Sequence, residues 1–238
     1  MSLYPDTDLP IPAFVEALHA DELLSFARPG TWGTAAQRTA IAAEARKTRV
    51  AVGVQESLGD EALADVPEPA RRVARAAALG GIEIDRMFCE QAQADGLIDG
   101  AYVEVIGVVA RLAHLDVFAR GIGVPARQLR QPEEDRTPSM LRPAIAKHEG
   151  FFVDSVPSAP EGGELAREIY GSSVPAGNIL RSLSLVPDEA RRLTRVVDEE
   201  YFTHETMMDM SYSSLEGLSR PQLELVAARV SALNQCFY

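Results

Sequence analysis

Hydrophobic residues recur mostly three or four positions apart along this chain, which is the spacing of one face of an α-helix. The clearest case is the segment 99–125. Its apolar positions include Val103, Ile106, Val109, Ala110, Ala113 and Val117. Because the segment is apolar nearly all round, we expect a buried central helix that Asp99 caps and that ends at Gly121, Gly123 and Pro125.

Three more stretches have the same periodicity. Residues 67–96 predict one or two helices that start near Pro67, with a kink or cap at Gly80–Gly81. Residues 174–202 predict a helix that starts at Pro187, and 213–238 predict another with a Ser219–Gln222 capping box. The apolar stripe of this last helix comprises Leu223, Val226, Ala227, Val230 and Leu233. Alternating period-two runs are scarce, so the sequence predicts an all-α fold.

The amino-acid composition of residues 129–174 differs from that of the rest of the chain. It is rich in proline, glycine and charge, as in "RQPEEDRTPSMLRP" and "VPSAPEGGE". This composition predicts a linker, with one short helix near 164–170.

The composition and net charge of the chain argue against several classes of partner and location. The chain has 238 residues, of which 46% are hydrophobic and 24% charged, and its net charge is -12. An acidic surface argues against nucleic acid or an anionic membrane as partner. No apolar run approaches about 20 residues. The segment "MSLYPDTDLPIP" has no basic region followed by an apolar one, so we expect no secretory signal. The two cysteines, Cys89 and Cys236, fit a reducing compartment, so we expect a cytoplasmic protein.

Two segments of the chain resemble each other. Residues 44–56 read "EARKTRVAVGVQE" and residues 224–236 read "ELVAARVSALNQC". Aligned without gaps they share Glu, Arg, Val and Gln, and Glu56 lies opposite Cys236. An internal repeat and chance similarity between helices both remain open at this point.

The segment "LSRPQLELVAARVSALNQCFY" resembles the start of the active-site segment of alkylhydroperoxidase D-like proteins, the carboxymuconolactone decarboxylase family. That segment has Glu, eleven residues, Cys, two residues, Cys, three residues and His. Glu224 and Cys236 have the first spacing, and the later positions would be 239 and 243, beyond Tyr238. "SVPAGNILRSLSLVPDEARRL" resembles the helices before this segment, and "LIDGAYVEVIGVVARLAHLDVFARGIGVP" resembles the helix after it.

The resemblance implies two helical lobes related by a repeat. A first lobe would span 1–128 and lack the motif, because Glu56, Gly59 and Leu63 stand where Cys, Cys and His belong. A linker would span 129–174. The N-terminal part of a second lobe would span 175–238 and carry Glu224 and Cys236.

The same resemblance implies a thiol or selenol peroxidase that reduces organic hydroperoxides with electrons from an external dithiol. Cys236 would be the redox residue, and Glu224 its base or orienting group. A straight helix would hold the two about 18 Å apart, so the chain would have to break near 233–235. The family implies trimers or hexamers, and we expect no metal or organic cofactor.

The second cysteine of the motif would be residue 239. Because UGA is read both as stop and as selenocysteine, we expect selenocysteine there and a weak or inactive chain without it. A boundary chosen for this segment and a genuine degenerate truncation of the lobe both stay open as alternatives. A codon other than UGA after Tyr238, or no histidine four codons further on, would contradict the expectation of selenocysteine.

Two other functions stay open. One is a decarboxylase-type lyase of the same superfamily, which would need a pocket with His and Arg residues, including His114. The other is a non-catalytic helical oligomerisation module.

The remaining candidates have ordinary structural interpretations. Cys89 and His114 are expected to be buried, His148 and His204 exposed, and Glu44 and Glu56 solvated. His204 with Glu205 is a weak metal pattern. A group of three methionines is expected to fill a core under a loop: Met207, Met208 and Met210.

Overall fold

The computed structural model of the chain describes residues 2–57, 65–133, 136–171, 176–213 and 216–233, and of residues 204 and 205 only the backbone. Within these ranges the regular structure is helical, which confirms the predicted all-α fold, and a lone bridge between Lys147 and Ser155 is the only β pairing. The ten helices are α1 (Ala13–Phe26), α2 (Ala35–Ala51), α3 (Glu68–Ala78), α4 (Arg86–Ala94), α5 (Asp99–Gly121), α6 (Gly163–Tyr170), α7 (Asn178–Arg181), α8 (Pro187–Glu200), α9 (His204–Met208) and α10 (Arg220–Leu233).

The chain forms two compact units that divide inside α8. The first runs from the N-terminus to Thr194 and the second from Arg195 onwards. The sequence had suggested divisions after residues 128 and 174, from composition and from the family resemblance.

The first unit is built around α5. Helices α2 and α3 pack on α5 and on each other, α1 packs on α5 and α2, and α4 packs on α3 and α5. Thirteen residues of α5 are buried, as expected for the most apolar segment of the chain. The helix begins one residue after Ile98, so the predicted role of Asp99 as its cap is wrong. Asp99 lies in the first turn, where its negative charge interacts favourably with the positive end of the helix dipole.

The ends of the other helices follow their local sequence. Thr34 and Gln37 form a reciprocal capping box at the start of α2. Helix α3 follows Pro67 and is ended by Gly80 and Gly81, whose φ angles of 93° and 70° are readily adopted by glycine.

The segment predicted as a linker contributes side chains to the core of the first unit. Val153, Val156, Ala166, Ile169 and Tyr170 are buried in the same hydrophobic cluster as α5. The predicted short helix is present as α6. The composition of the segment therefore reflects irregular backbone, and not an absence of packing.

The second unit contains the end of α8, α9 and α10. Its buried residues include Val196, Phe202 and Arg220. Ser219 precedes α10, and its backbone N–H donates to the Gln222 side chain at 2.8 Å, which is half of the predicted capping box. Among the helices described, none is both long and apolar enough to cross a membrane.

Candidate functional site

Of the two predicted site residues, Glu224 and Cys236, the structure describes only Glu224. Cys236 lies outside the described residues, as do Gly59 and Leu63. Of the chain break expected near 233–235, residues 234–235 also lie outside them. Glu224 lies on α10, half-buried, one turn after the start of the helix. The described part of the candidate site is therefore the environment of the Glu224 carboxylate.

Arg220 binds this carboxylate from one helical turn away. Its Nε lies 2.6 Å from Oε1 of Glu224, and the Arg220 side chain is only 3% exposed. The rest of the guanidinium donates to three backbone carbonyls of the turn around α9, at 2.9–3.2 Å: those of Thr206, Met207 and Asp209. Each nitrogen of the Arg220 guanidinium therefore has a fixed partner, so the guanidinium is held in place and presents Nε to one oxygen of Glu224.

Aromatic side chains complete this environment. The Arg220 guanidinium carbon lies 4.1 Å from the ring centre of Phe202, a buried residue, and the Tyr201 ring lies 4.3 Å from the same ring. Burial raises the pKa of Tyr201, and the negative charge of Glu224 raises it further. Tyr201 therefore stays protonated at neutral pH and can donate to Glu224.

This arrangement gives a carboxylate bound by a buried arginine on the helix that precedes Cys236 in sequence. Such a group can accept a proton or orient a water molecule or a second side chain. Sequence reasoning missed Arg220 and Tyr201. The i,i+4 spacing of Arg220 and Glu224 was a signal that could have identified the first, whereas Tyr201 precedes Glu224 by more than twenty residues and offered none.

A second polar cluster lies in the core of the first unit, and the sequence did not reveal it. Glu189, at the start of α8, accepts from Arg38 at 2.9 Å and from Arg111 at 2.6 Å. Arg38 also donates to Glu104 at 2.6 Å, and Arg111 donates to Glu22. All five side chains are at most 3% exposed. We call these five residues the buried ion cluster.

Three further groups donate hydrogen bonds to carboxylates of the buried ion cluster. The backbone N–H groups of Trp32 and Gly33 donate to Glu104 at 2.8 and 3.1 Å. Arg192 donates to Glu22 at 3.0 Å and to the more exposed Asp21 at 3.1 Å. A buried carboxylate is tolerated only with such compensation, so the cluster fixes how α1, α2, α5 and α8 pack.

A third group of charges lies between α2, α3 and α5. Arg46 and Arg49 both bind Asp116. Glu44 is 7% exposed and accepts from Arg75 Nε at 2.6 Å, so its predicted position on a solvated face is wrong. Arg75 makes the burial of Glu44 possible. It lies on another helix, so the local sequence around Glu44 could not identify it. Glu56 is exposed, as predicted.

The other candidates are distributed as follows. Cys89 is fully buried, as predicted, and burial raises the pKa of its thiol. His148 is exposed, as predicted. His114 is half-buried, and its ring lies edge-on to the ring of the buried His19. Nδ1 of His19 lies 2.6 Å from the Tyr4 hydroxyl. The side chains of His204 and Glu205 lie outside the described residues.

The expectation for the methionines of the second unit is wrong. Met207 is 38% exposed, Met208 73% and Met210 68%, so they do not fill a core. The backbone of this turn is held by Arg220 instead, which removes the need for side-chain packing there.

The chain was also compared with protein-family models, with curated proteins and with solved structures, and none of the three comparisons finds a match.

Proposed function

We propose that this chain belongs with the alkylhydroperoxidase D-like proteins and acts as a thiol or selenol peroxidase on organic hydroperoxides. Cys236 is the redox residue and Glu224 its base or orienting group. The observation that carries the proposal is that Glu224, twelve residues before Cys236, is an oriented carboxylate bound by Arg220 at 2.6 Å. Without such a hold, a half-exposed glutamate would sample many rotamers.

The proposed chemistry has two steps. Glu224 accepts the proton of the Cys236 thiol, and the thiolate attacks the outer oxygen of the hydroperoxide. The O–O bond breaks, the sulfur is oxidised to a sulfenic acid, and the alcohol leaves with the proton. An external dithiol then reduces the sulfenic acid, which releases water, restores the thiol and leaves the reductant as its disulfide.

The test is consumption of an organic hydroperoxide by the purified chain. Cumene hydroperoxide is supplied with dithiothreitol, and peroxide loss is followed with time. We expect Cys236→Ser to abolish the enzymatic rate and Glu224→Gln to lower it by about 100-fold. Without the selenocysteine expected at position 239 the rate should be low, but above the buffer rate. A rate no higher than that of Cys236→Ser would rule the proposal out and favour a non-catalytic helical module.

The chain offers matched controls for both substitutions. Glu199 forms an i,i+4 ion pair with Arg195 at 2.8 Å, much as Glu224 does with Arg220, so Glu199→Gln changes an equivalent surface charge. Cys89→Ala removes the other thiol, which is buried. Both variants are expected to retain the peroxidase rate.

The proposal includes a homo-oligomer and a reducing, cytoplasmic location. The apolar stripe predicted on α10 supports self-association, because Val226 is 64%, Val230 52% and Leu233 63% exposed. Light scattering is expected to give a mass of three or six times 25.8 kDa. A monodisperse monomer would contradict this part of the proposal.

A further inference from the structure

Two histidines of the first unit lie against each other. His19, on α1, is fully buried, and His114, on α5, is half-buried. One ring nitrogen of each histidine lies within 4.8 Å of a ring nitrogen of the other. We propose that His19 and His114 form a binding site for a divalent transition-metal ion such as Zn²⁺. This inference does not depend on the proposed peroxidase.

The separation of the two nitrogens is close to that of two ligands of one ion. Zinc binds imidazole nitrogen at about 2.0–2.1 Å, so two histidines on a tetrahedral ion have nitrogens roughly 3.4 Å apart. A small rotation of the half-buried His114 ring would close the remaining distance. The angle of 82° between the rings suits such an ion, because each imidazole binds metal in its own plane.

The Tyr4 hydroxyl determines which nitrogen of His19 would bind the metal. It lies 2.6 Å from Nδ1 of His19, so the ion would be bound through Nε2. In that tautomer Nδ1 carries the proton and donates it to the Tyr4 oxygen, an outer hydrogen bond of the kind that metal-binding histidines make. The Phe118 ring packs against His19 with 4.7 Å between ring centres. Both contacts limit rotation of the His19 imidazole.

A buried ion pair holds the two helices in register beside the histidines. Arg111 binds Glu22, and both side chains are fully buried. His19 lies three residues before Glu22 on α1, and His114 lies three residues after Arg111 on α5. Three residues are nearly one helical turn, so each histidine shares a helix face with one member of the pair. The backbones that carry the two ligands are therefore positioned before a metal ion binds.

The chemistry of the two ligands selects a class of metal. Neutral imidazole suits Zn²⁺, Ni²⁺ and Cu²⁺, whereas Mg²⁺ and Ca²⁺ prefer oxygen. Two histidines leave the remaining positions of the ion for water or a further ligand. A bound ion would join α1 to the central helix α5, and we therefore expect it to stabilise the first unit.

The experiment is a calorimetric titration with zinc chloride of protein that has been stripped of metal with EDTA and dialysed. All proteins carry Cys236→Ser, because a thiol binds zinc by itself. The parent is compared with His114→Gln and with His148→Gln. His148 is the matched control, since it is a histidine outside the pair and its side chain is 61% exposed.

We expect one zinc ion per chain in the parent and the same affinity in His148→Gln. His114→Gln should bind zinc more than about 100-fold more weakly, because even the loss of an outer partner of a ligand costs about 10–100-fold. The absence of binding in the parent, or equal affinities in the parent and His114→Gln, would overturn the inference. So would equal losses in His114→Gln and His148→Gln, which would place the zinc at the surface.

The choice of variants separates binding from folding. His114 is replaced and not His19, because only His19 is fully buried, and far-ultraviolet circular dichroism checks that the helices are kept. Tyr4→Phe keeps the ring but removes the hydroxyl that orients His19, and it should weaken zinc binding about tenfold. Unchanged affinity in Tyr4→Phe would refute the role of Tyr4 in the site.

Thermal unfolding gives a second measurement of the same site. At a free zinc concentration 100 times the dissociation constant, the melting temperature of the parent should rise by about 5–10 °C. Mg²⁺ at the same concentration should cause no rise, and neither should zinc with His114→Gln. A rise of equal size with Mg²⁺, or one that persists in His114→Gln, would show binding by other groups and overturn the inference.

Discussion

Arg111 donates two hydrogen bonds to one carboxylate oxygen of Glu189 in the core of the first unit. Nε and Nη2 of Arg111 lie 3.1 and 2.6 Å from Oε2 of Glu189, and both side chains are at most 2% exposed. The guanidinium also stacks over Phe26, 4.9 Å from its ring centre. The pair joins α5 to the first turn of α8.

Neutralising Glu189 should strongly destabilise the first unit. Glu189→Gln keeps the shape but leaves Arg38 and Arg111 with less compensation, and breaking a buried pair costs about 3–5 kcal/mol. The measurement is urea unfolding followed by circular dichroism. Its neighbour Asp188, which is 61% exposed and paired with Arg191, is the control. Asp188→Asn should change the free energy of unfolding by less than about 1 kcal/mol.

The contribution of Glu189 should also depend on pH. Burial by itself raises the pKa of this carboxyl, but Arg111 and Arg38 outweigh burial and lower it below its ordinary value of 4.5. A folded-state pKa below the unfolded one means that stability is fully present above about pH 4.5 and is lost as the pH falls through the folded pKa. The difference in unfolding free energy between the parent and Glu189→Gln should therefore shrink between pH 6 and pH 3. A difference that is constant over this range would show that Glu189 is not ionised in the fold.

Gly107 should not tolerate a methyl group, because it faces the buried ion cluster. A Cβ at Gly107 would lie 2.5 Å from Oε2 and 3.0 Å from Cβ of Glu189. We expect Gly107→Ala to lower the free energy of unfolding by about 1–3 kcal/mol, despite the better helix propensity of alanine.

Gly121, at the end of the same helix, provides the comparison for Gly107. A Cβ there would meet nothing within 4 Å, so Gly121→Ala should be neutral or stabilise by up to about 1 kcal/mol. Similar effects of the two substitutions in thermal or urea unfolding would show that the close contact at Gly107 does not govern stability.

Cys89 should be unreactive while the chain is folded. It is fully buried, burial raises the pKa of its thiol, and Gln93 donates to its sulfur at 3.4 Å. In a Cys236→Ser background, a thiol-specific disulfide reagent should modify it on the order of 100-fold more slowly in buffer than in 6 M urea, because reaction requires opening. Rapid modification in buffer would place Cys89 at the surface and make it available as a partner for Cys236.

Local pattern was sufficient for several of the helices, although it gave no prediction of α1 (Ala13–Phe26). The all-α class, the buried α5, the start of α8 at Pro187 and the end of α3 at Gly80–Gly81 all depend on periodicity or capping within a few residues. Whether the 129–174 segment packs into the core depends on contacts with residues far away in sequence. Its composition could therefore not show that Val156 and Tyr170 would be buried.

The charged interior could not be predicted, for a physical reason. A glutamate that is buried and one that is solvated look the same in sequence, and the partner decides between them. The Glu44–Arg75 partners are 31 residues apart and the Arg38–Glu189 partners 151. Arg220–Glu224 is the exception, since it lies within one helical turn.

The same long separation has a consequence for synthesis on the ribosome. Arg38 and Arg111 are translated long before Glu189, the carboxylate that they share. Until it emerges, a nascent chain that collapsed fully would enclose Arg38 and Arg111 with Glu104 and Glu22 as carboxylate partners, but with the donors that bind Glu189 unsatisfied. We therefore expect the first helices to stay loosely packed and open to chaperones. Closure of the first unit would then be timed by the appearance of α8, and not by completion of the helices around α5.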